Sequence, residues 1–159
     1  MPNLIGKKAP NFKLNSTSLK IVELAKIKSK YVVLYFYPKD DTPGCTLETK
    51  DFNSLLSNFK KLKCDVYGIS KDSLKSHKKF KEKYNVKFEL LSDEDKKLIK
   101  AYKTWGKKKF MGREFMGQIR STFLIKNNKI LNEWRNVRVK DHAKEVLIFL
   151  KNDLLKKAR

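Results

Sequence analysis

The sequence predicts an α/β fold with a sheet that is parallel in part. Two observations carry this. Continuous β-branched and aromatic runs at 31–37 and 65–70 are each followed by apolar residues at three- and four-residue spacing, the alternation of buried strand and helix. Near the C-terminus two short alternating runs flank a turn signal and lead into one amphipathic helix.

In chain order, residues 1–30 read as an arm with short strands around Phe12-Lys13-Leu14 and at 20–24. The central strand covers 31–37. Phe52, Leu55, Leu56, Phe59 and Leu62 mark one face of a helix over about 43–61. The second buried strand, 65–70, precedes a helix that begins near Asp72-Ser73 and carries Leu74, His77, Phe80 and Tyr84 along one side. His77 on that apolar face reads as a structural histidine. Phe88 to Leu91 is a short strand, and Ser92-Asp93-Glu94-Asp95 resembles a capping box opening a helix through Tyr102. Residues 103–119, rich in Gly, Lys and aromatics, read as a loop. Strands 121–126 and 130–134 flank Asn127-Asn128-Lys129, and Asp141 is placed to cap a last helix bearing Val146, Leu147, Leu150 and Leu154, with His142 in its exposed first turn.

The length, 159 residues, favours one domain over 1–159 and suffices for a sizeable core. No repeat, low-complexity linker or transmembrane run of about 18 apolar residues occurs. The opening Met1 to Lys8 lacks the apolar stretch of a secretion signal. With two cysteines and no disulfide framework, this predicts a reducing cytoplasm. The net charge of +21 invites a polyanion as partner. Against that, only five of the 38 basic residues are arginine, the residue suited to bidentate phosphate and base recognition, and the lysines are spread along the chain. The expectation is a lysine-rich solvated surface with no specific nucleic-acid partner. The cysteines and histidines at 45, 64, 77 and 142 match no metal-ligand spacing, no C-x-x-C pair is present, and there is no glycine-rich phosphate loop, so neither metal nor cofactor is expected.

The chemistry concentrates at Cys45. A buried strand stops at Pro38, a polar loop follows, and Pro43 suits the first position of a helix, where a missing N–H costs nothing. Cys45 then lies in the first turn, where unpaired N–H groups and the helix dipole favour an anion, and a thiolate is the nucleophilic form of cysteine. Gly44 admits close approach to the backbone, and the Thr42 hydroxyl is placed both to cap the helix and to face whatever the thiolate attacks. The alternative is a small buried core residue.

Pro38-x-x-x-Thr42-x-x-Cys45 resembles the active-site motif of the peroxiredoxins, and the string YFYPKDDTPGCTLE over 35–48 resembles the bacterioferritin-comigratory protein or PrxQ subfamily. The likeness continues in order through Gly6 to Phe12, Gly68-Ile69-Ser70, Ser76 to Phe80, Leu90 to Asp93, Trp105-Gly106, Phe110-Met111-Gly112 and Ile119 to Ile125. It implies a thioredoxin-like fold, a central mixed sheet flanked by helices, and a peroxidase acting on hydrogen peroxide and organic hydroperoxides. Cys45 would be the peroxidatic nucleophile, becoming a sulfenic acid. Thr42 and Arg120 would serve the departing oxygen, and Pro38 would shield the thiolate. Arg120 facing the thiolate would also resolve the cost of a cation entering a buried strand; the alternative is an exposed strand-end arginine. Glu48, one turn beyond Cys45, would hold Arg120 or else be a solvated carboxylate.

Many members of that subfamily carry a resolving cysteine five residues after the first; here Lys50 stands there. Cys64, just before strand 65–70, which is expected to run parallel to 31–37, should lie at the opposite edge of the sheet from Cys45, beyond the ~7 Å Cα separation a disulfide allows. A one-cysteine cycle is therefore expected, with the sulfenic acid reduced by an external thiol (thioredoxin, glutaredoxin or glutathione), in a monomer or weak dimer. The competing classes are a basic nucleic-acid-binding module and a structural thioredoxin-like protein without peroxidase activity. Trp105, Phe110, Met111, Phe115 and Met116 line the mouth of the site on one reading and pack a loop on the other.

Overall fold

The computed structural model describes residues 3–157; Met1, Pro2, Ala158 and Arg159 lie outside them. At its centre is β3 (Tyr31–Phe36), flanked by parallel β4 (Cys64–Ser70) and antiparallel β8 (Ser121–Lys126), in a five-stranded sheet of order β5-β4-β3-β8-β9. The outer strands are β5 (Glu89–Ser92), parallel to β4, and β9 (Lys129–Arg135), antiparallel to β8. Before them, β1 (Lys13–Asn15) and β2 (Ile21–Glu23) form a small antiparallel pair.

All six residues of β3 are buried because both faces of the sheet are covered. Tyr31, Val33 and Tyr35 point into one core with Phe52, Phe59, Phe80, Val146 and Leu150. These come from α1 (Pro43–Ser54), α2 (Leu56–Lys61), α3 (Leu74–Lys83) and α5 (His142–Lys157). Val32, Leu34 and Phe36 point into the other core, with Phe12 and Leu24 of the N-terminal arm and Leu98, Ile99 and Tyr102 of and beside α4 (Lys97–Ala101). The periodicity predicted a sheet parallel in part, and this mixed sheet between helices agrees with the thioredoxin-like fold that the resemblance implied.

Four expectations are corrected. The helix over 43–61 is interrupted at Leu55 (φ −98°, ψ 3°), where Ser54 Oγ donates to the Asp51 carbonyl and competes with the helical ladder. The expected loop 103–119 contains a hairpin, β6 (Trp105–Phe110) with β7 (Arg113–Gln118), closed by Met111 and Gly112 at φ 51° and 78°. Three consecutive lysines on β6 and a half-exposed ribbon hide the alternation that normally announces strands. Ser92 forms no capping box: its hydroxyl donates to the Asp72 carbonyl, and the buried Asp93 carboxylate accepts the Leu98 and Ile99 N–H groups instead. His142 is buried, not exposed, with Nε2 2.8 Å from Thr122 Oγ1 and its ring edge-on to Phe52 and Trp134. The Asn127-Asn128 turn is as expected, both residues adopting the left-handed conformation of a tight two-residue hairpin.

Candidate active site

Thr42 is the N-cap of α1, Pro43 its first residue, and the Thr46 N–H closes the first turn on the Thr42 carbonyl at 2.8 Å. This places Cys45 in that turn, its side chain in the core and 1% of the residue exposed. Arg120 sits just before β8. Its guanidinium spans two acceptors: one amino group donates to Glu48 Oε1 at 2.8 Å and the other to Cys45 Sγ at 3.5 Å. Gly44 makes room for it, since a Cβ there would lie 3.1 Å from Arg120 Nη2. The expected juxtaposition of Cys45, Glu48 and Arg120 is present.

Glu48 is not a solvated carboxylate. It is fully buried, its second oxygen has no hydrogen-bond partner, and burial pushes its carboxyl up to about 7 against the pull of Arg120. Burial works against the Arg120 charge too, but Glu48 and Cys45 outweigh it and hold the guanidinium above its ordinary value. Thr42 differs from expectation in one respect. Its hydroxyl makes no cap bond and donates 2.8 Å to the Lys39 carbonyl, which leaves its oxygen free to accept. Pro38 is half-buried in the same loop.

What anchors that loop was only half visible in the sequence. Asp40 is buried and takes hydrogen bonds from the Tyr37 hydroxyl (2.6 Å) and the Ser76 hydroxyl (2.8 Å), with His77 Nδ1 at 2.7 Å from its carboxylate. His77 is structural, as expected: its Nε2 donates to the Leu91 carbonyl at 3.0 Å, tying loop, α3 and β5 together. Asp41, in the left-handed conformation, is held by Lys83 at 2.7 Å and Tyr84 at 2.6 Å. The one sequence signal for this network was a histidine on an apolar helix face, which needs a buried partner.

Among the described residues, Asp40, Asp72 and His77 are the one set of potential metal ligands close together, their ligand atoms within 4.8 Å of one another. Asp72 accepts the Asp40 N–H and the Ser70 hydroxyl through one oxygen, and Asp40 is bonded as above. A hydrogen-bonded cluster so committed to its own protons accounts for these groups without an ion.

Cys64 is remote. Arg120, which touches Cys45, precedes Ser121, the partner of Phe36 at one end of β3, whereas Cys64 pairs with Tyr31 at the other. At about 3.3 Å per residue those ends are roughly 16 Å apart. Both thiols are free, and burial, helped by Asp65, pushes the Cys64 thiol far above its ordinary range. Of the aromatic and methionine residues read either as lining the mouth or as packing a loop, Phe110, Met111, Phe115 and Met116 are exposed on the hairpin, while Trp105 packs under Lys96, 4.5 Å from its ring centroid.

Residues 5–134 match the AhpC/TSA family. The chain belongs to that family, among its Bcp/PrxQ peroxiredoxins. It is 49% identical over 149 residues to peroxiredoxin Bcp of Bacillus subtilis, covering 93% of this chain and 95% of that one. A cysteine-to-serine mutant of PrxQ from Xylella fastidiosa superposes with a TM-score of 0.91 at 38% identity, over 97% of this chain and 99% of that one. Peroxiredoxin Q of Xanthomonas campestris gives 0.85 at 39% identity, over 89% and 91%. A peroxiredoxin is a thiol-dependent peroxidase: a hydroperoxide oxidises a cysteine and a thiol reduces it. No described helix is long and apolar enough to cross a membrane.

Proposed function

We propose that the chain reduces hydrogen peroxide and organic hydroperoxides through Cys45 in a one-cysteine cycle. The observation that carries this reading is the Arg120 guanidinium, which bonds Glu48 on one side and the Cys45 sulfur on the other. The thiolate attacks the terminal peroxide oxygen. An S–O bond forms, the O–O bond breaks, and its electron pair leaves on the second oxygen, which takes a proton from water; Cys45 is then a sulfenic acid. Arg120 stabilises charge on the departing oxygen, the kind of contribution worth about 10²- to 10³-fold in rate for one fixed donor. Thr42, its own proton engaged by Lys39, accepts the peroxide O–H and orients it. Glu48 fixes Arg120, and Pro38 covers the loop side of the sulfur.

The position and burial of Cys64 support reduction by an external thiol, with thioredoxin, glutaredoxin and glutathione as the candidates, in a reducing cytoplasm. The test is intact mass of reduced protein after one equivalent of hydrogen peroxide, with and without a sulfenic-acid trap. One added oxygen, trappable, retained in Cys64→Ser and absent in Cys45→Ser, is the expected result. Loss of two hydrogens within the monomer would mean that Cys64 resolves Cys45, and no change at all would remove the peroxidase reading for this site.

A further inference from the structure

The hairpin β6–β7 forms a two-stranded sheet of its own, outside the five-stranded one. Its base is tied to the body: the Ile119 N–H bonds the Thr104 carbonyl at 2.8 Å, and Gln118 Nε2 donates to the Ile119 carbonyl at 2.7 Å. Its outer part stands in solvent. Phe110, Met111, Phe115 and Met116 are all exposed, Met111 by 88%.

Pairing sets the faces of the ribbon. Phe110 lies opposite Arg113 and Phe115 opposite Lys108 on one face; Met116 lies opposite Lys107 and Glu114 opposite Lys109 on the other. Each face mixes apolar and charged residues, so neither is a stripe that a helix or sheet could cover as a core. Polarity changes along the ribbon instead. Gly117 and Gln118 are buried at the base, while Phe110 and Met111 make an apolar apex above Lys107, Lys109 and Arg113. The one acidic residue of the ribbon, Glu114, is paired with Lys109 at 3.6 Å.

Met111 is the residue that local chemistry does not explain. It holds φ 51°, a left-handed conformation that suits glycine or asparagine, and it carries a long apolar side chain into water at a turn. The other tight hairpin of the same chain meets the same backbone demand with Asn127 and Asn128.

We propose that this tip inserts into an anionic lipid surface, with Phe110, Met111 and Phe115 entering the boundary between headgroups and acyl chains and Lys107, Lys109 and Arg113 lying among the phosphates. An apolar apex above a collar of cations suits an interfacial anchor. Charge complementarity selects this occupant. A net charge of +21 draws the chain toward an anionic leaflet, and lysines, as point charges, suit a fluid array of phosphates with no fixed geometry. The same charge opposes a second copy of the chain on the tip. Strands of six residues at about 3.4 Å each span roughly 20 Å, so docking by the apex leaves Arg120 and Cys45 clear of the acyl chains.

The test is sedimentation of the full chain with vesicles of phosphatidylglycerol and phosphatidylcholine in equal parts, and with phosphatidylcholine alone. Binding to the anionic vesicles that weakens as sodium chloride rises is expected, with little to the neutral ones. Phe110→Ser with Met111→Ser should lower the partition by about tenfold or more. Phe110→Trp should gain a vesicle-dependent blue shift in fluorescence beyond that of the unaltered chain. Lys107→Gln with Lys109→Gln should weaken binding more than Lys60→Gln with Lys61→Gln, which removes the same charge at the end of α2, beside the start of β4. No binding to anionic vesicles would overturn the proposal. An unchanged partition in the Phe110 and Met111 variant, or equal losses in the two lysine pairs, would also overturn it, since either reflects net charge alone. So would a dimer, or retention of soluble polyglutamate without vesicle binding, that depended on Phe110 and Met111; these assign the tip to a second copy or to an acidic protein. Cys45→Ser should bind vesicles as the unaltered chain does, so docking and the peroxidase reading stand or fall separately.

Discussion

Glu48 and Arg120 show how much one residue's surroundings decide. A carboxylate one turn past a cysteine would be unremarked on a helix surface; buried here, with one oxygen unpartnered, it holds a proton up to about pH 7. The sign of its effect on stability follows. The group titrates at about 4.5 when unfolded and higher when folded, so the folded state binds more protons between those values. Stability should therefore fall as pH rises from about 4.5 through about 7, by an amount on the order of 3 kcal/mol. Urea denaturation at intervals across that range should show the slope, and Glu48→Gln should flatten it.

At the scale of elements, the loop before α1 is set by partners drawn from three other segments. Asp40 is fixed by Tyr37 from the end of β3 and by Ser76 and His77 from α3, with His77 continuing to β5. Removing the carboxylate leaves the Tyr37 and Ser76 hydroxyls without their acceptor and the buried His77 ring without the partner on its Nδ1 side. Asp40→Ala is expected to cost about 3 kcal/mol in chemical denaturation. It should also slow Cys45 oxidation more than Asp72→Ala does, because Asp72 reaches the loop through one backbone N–H alone. Equal slowing by both variants would mean that the Asp40 carboxylate does not hold the loop.

The whole molecule carries +21, and its fold worsens the balance at the surface. Several of its acidic groups, Asp40, Glu48 and Asp93 among them, are buried, so the exposed lysines keep few partners. Self-repulsion of this kind is screened by salt, with a Debye length of about 30 Å at 0.01 M and about 8 Å at 0.15 M. Raising sodium chloride between those two concentrations should raise the melting temperature by about 3 °C or more. A flat or falling melting temperature in a scan of both conditions would show that the lysines are spaced widely enough not to interact.

The residues by themselves determined the alternation of strands and helices outside 103–119, the central strand and Cys45 in the first turn of its helix, because those depend on local periodicity and helix-start chemistry. Asn127 and Asn128 likewise announced their turn. The tertiary structure decided what the neighbours of each polar group are. Glu48 is buried against Arg120, and His142 against Thr122, Phe52 and Trp134, none of them on the same helix, and the hairpin at 105–118 depends on pairing that Lys107-Lys108-Lys109 does not advertise. Cys64 could be separated from Cys45 by strand direction alone, since a parallel crossover sends the two to opposite ends of the sheet. Asp40 could not be told from Asp41 by sequence, although one is buried on a histidine and the other exposed beside a lysine. Periodicity reports which face of an element is apolar; which buried polar groups meet depends on contacts between elements distant in the chain.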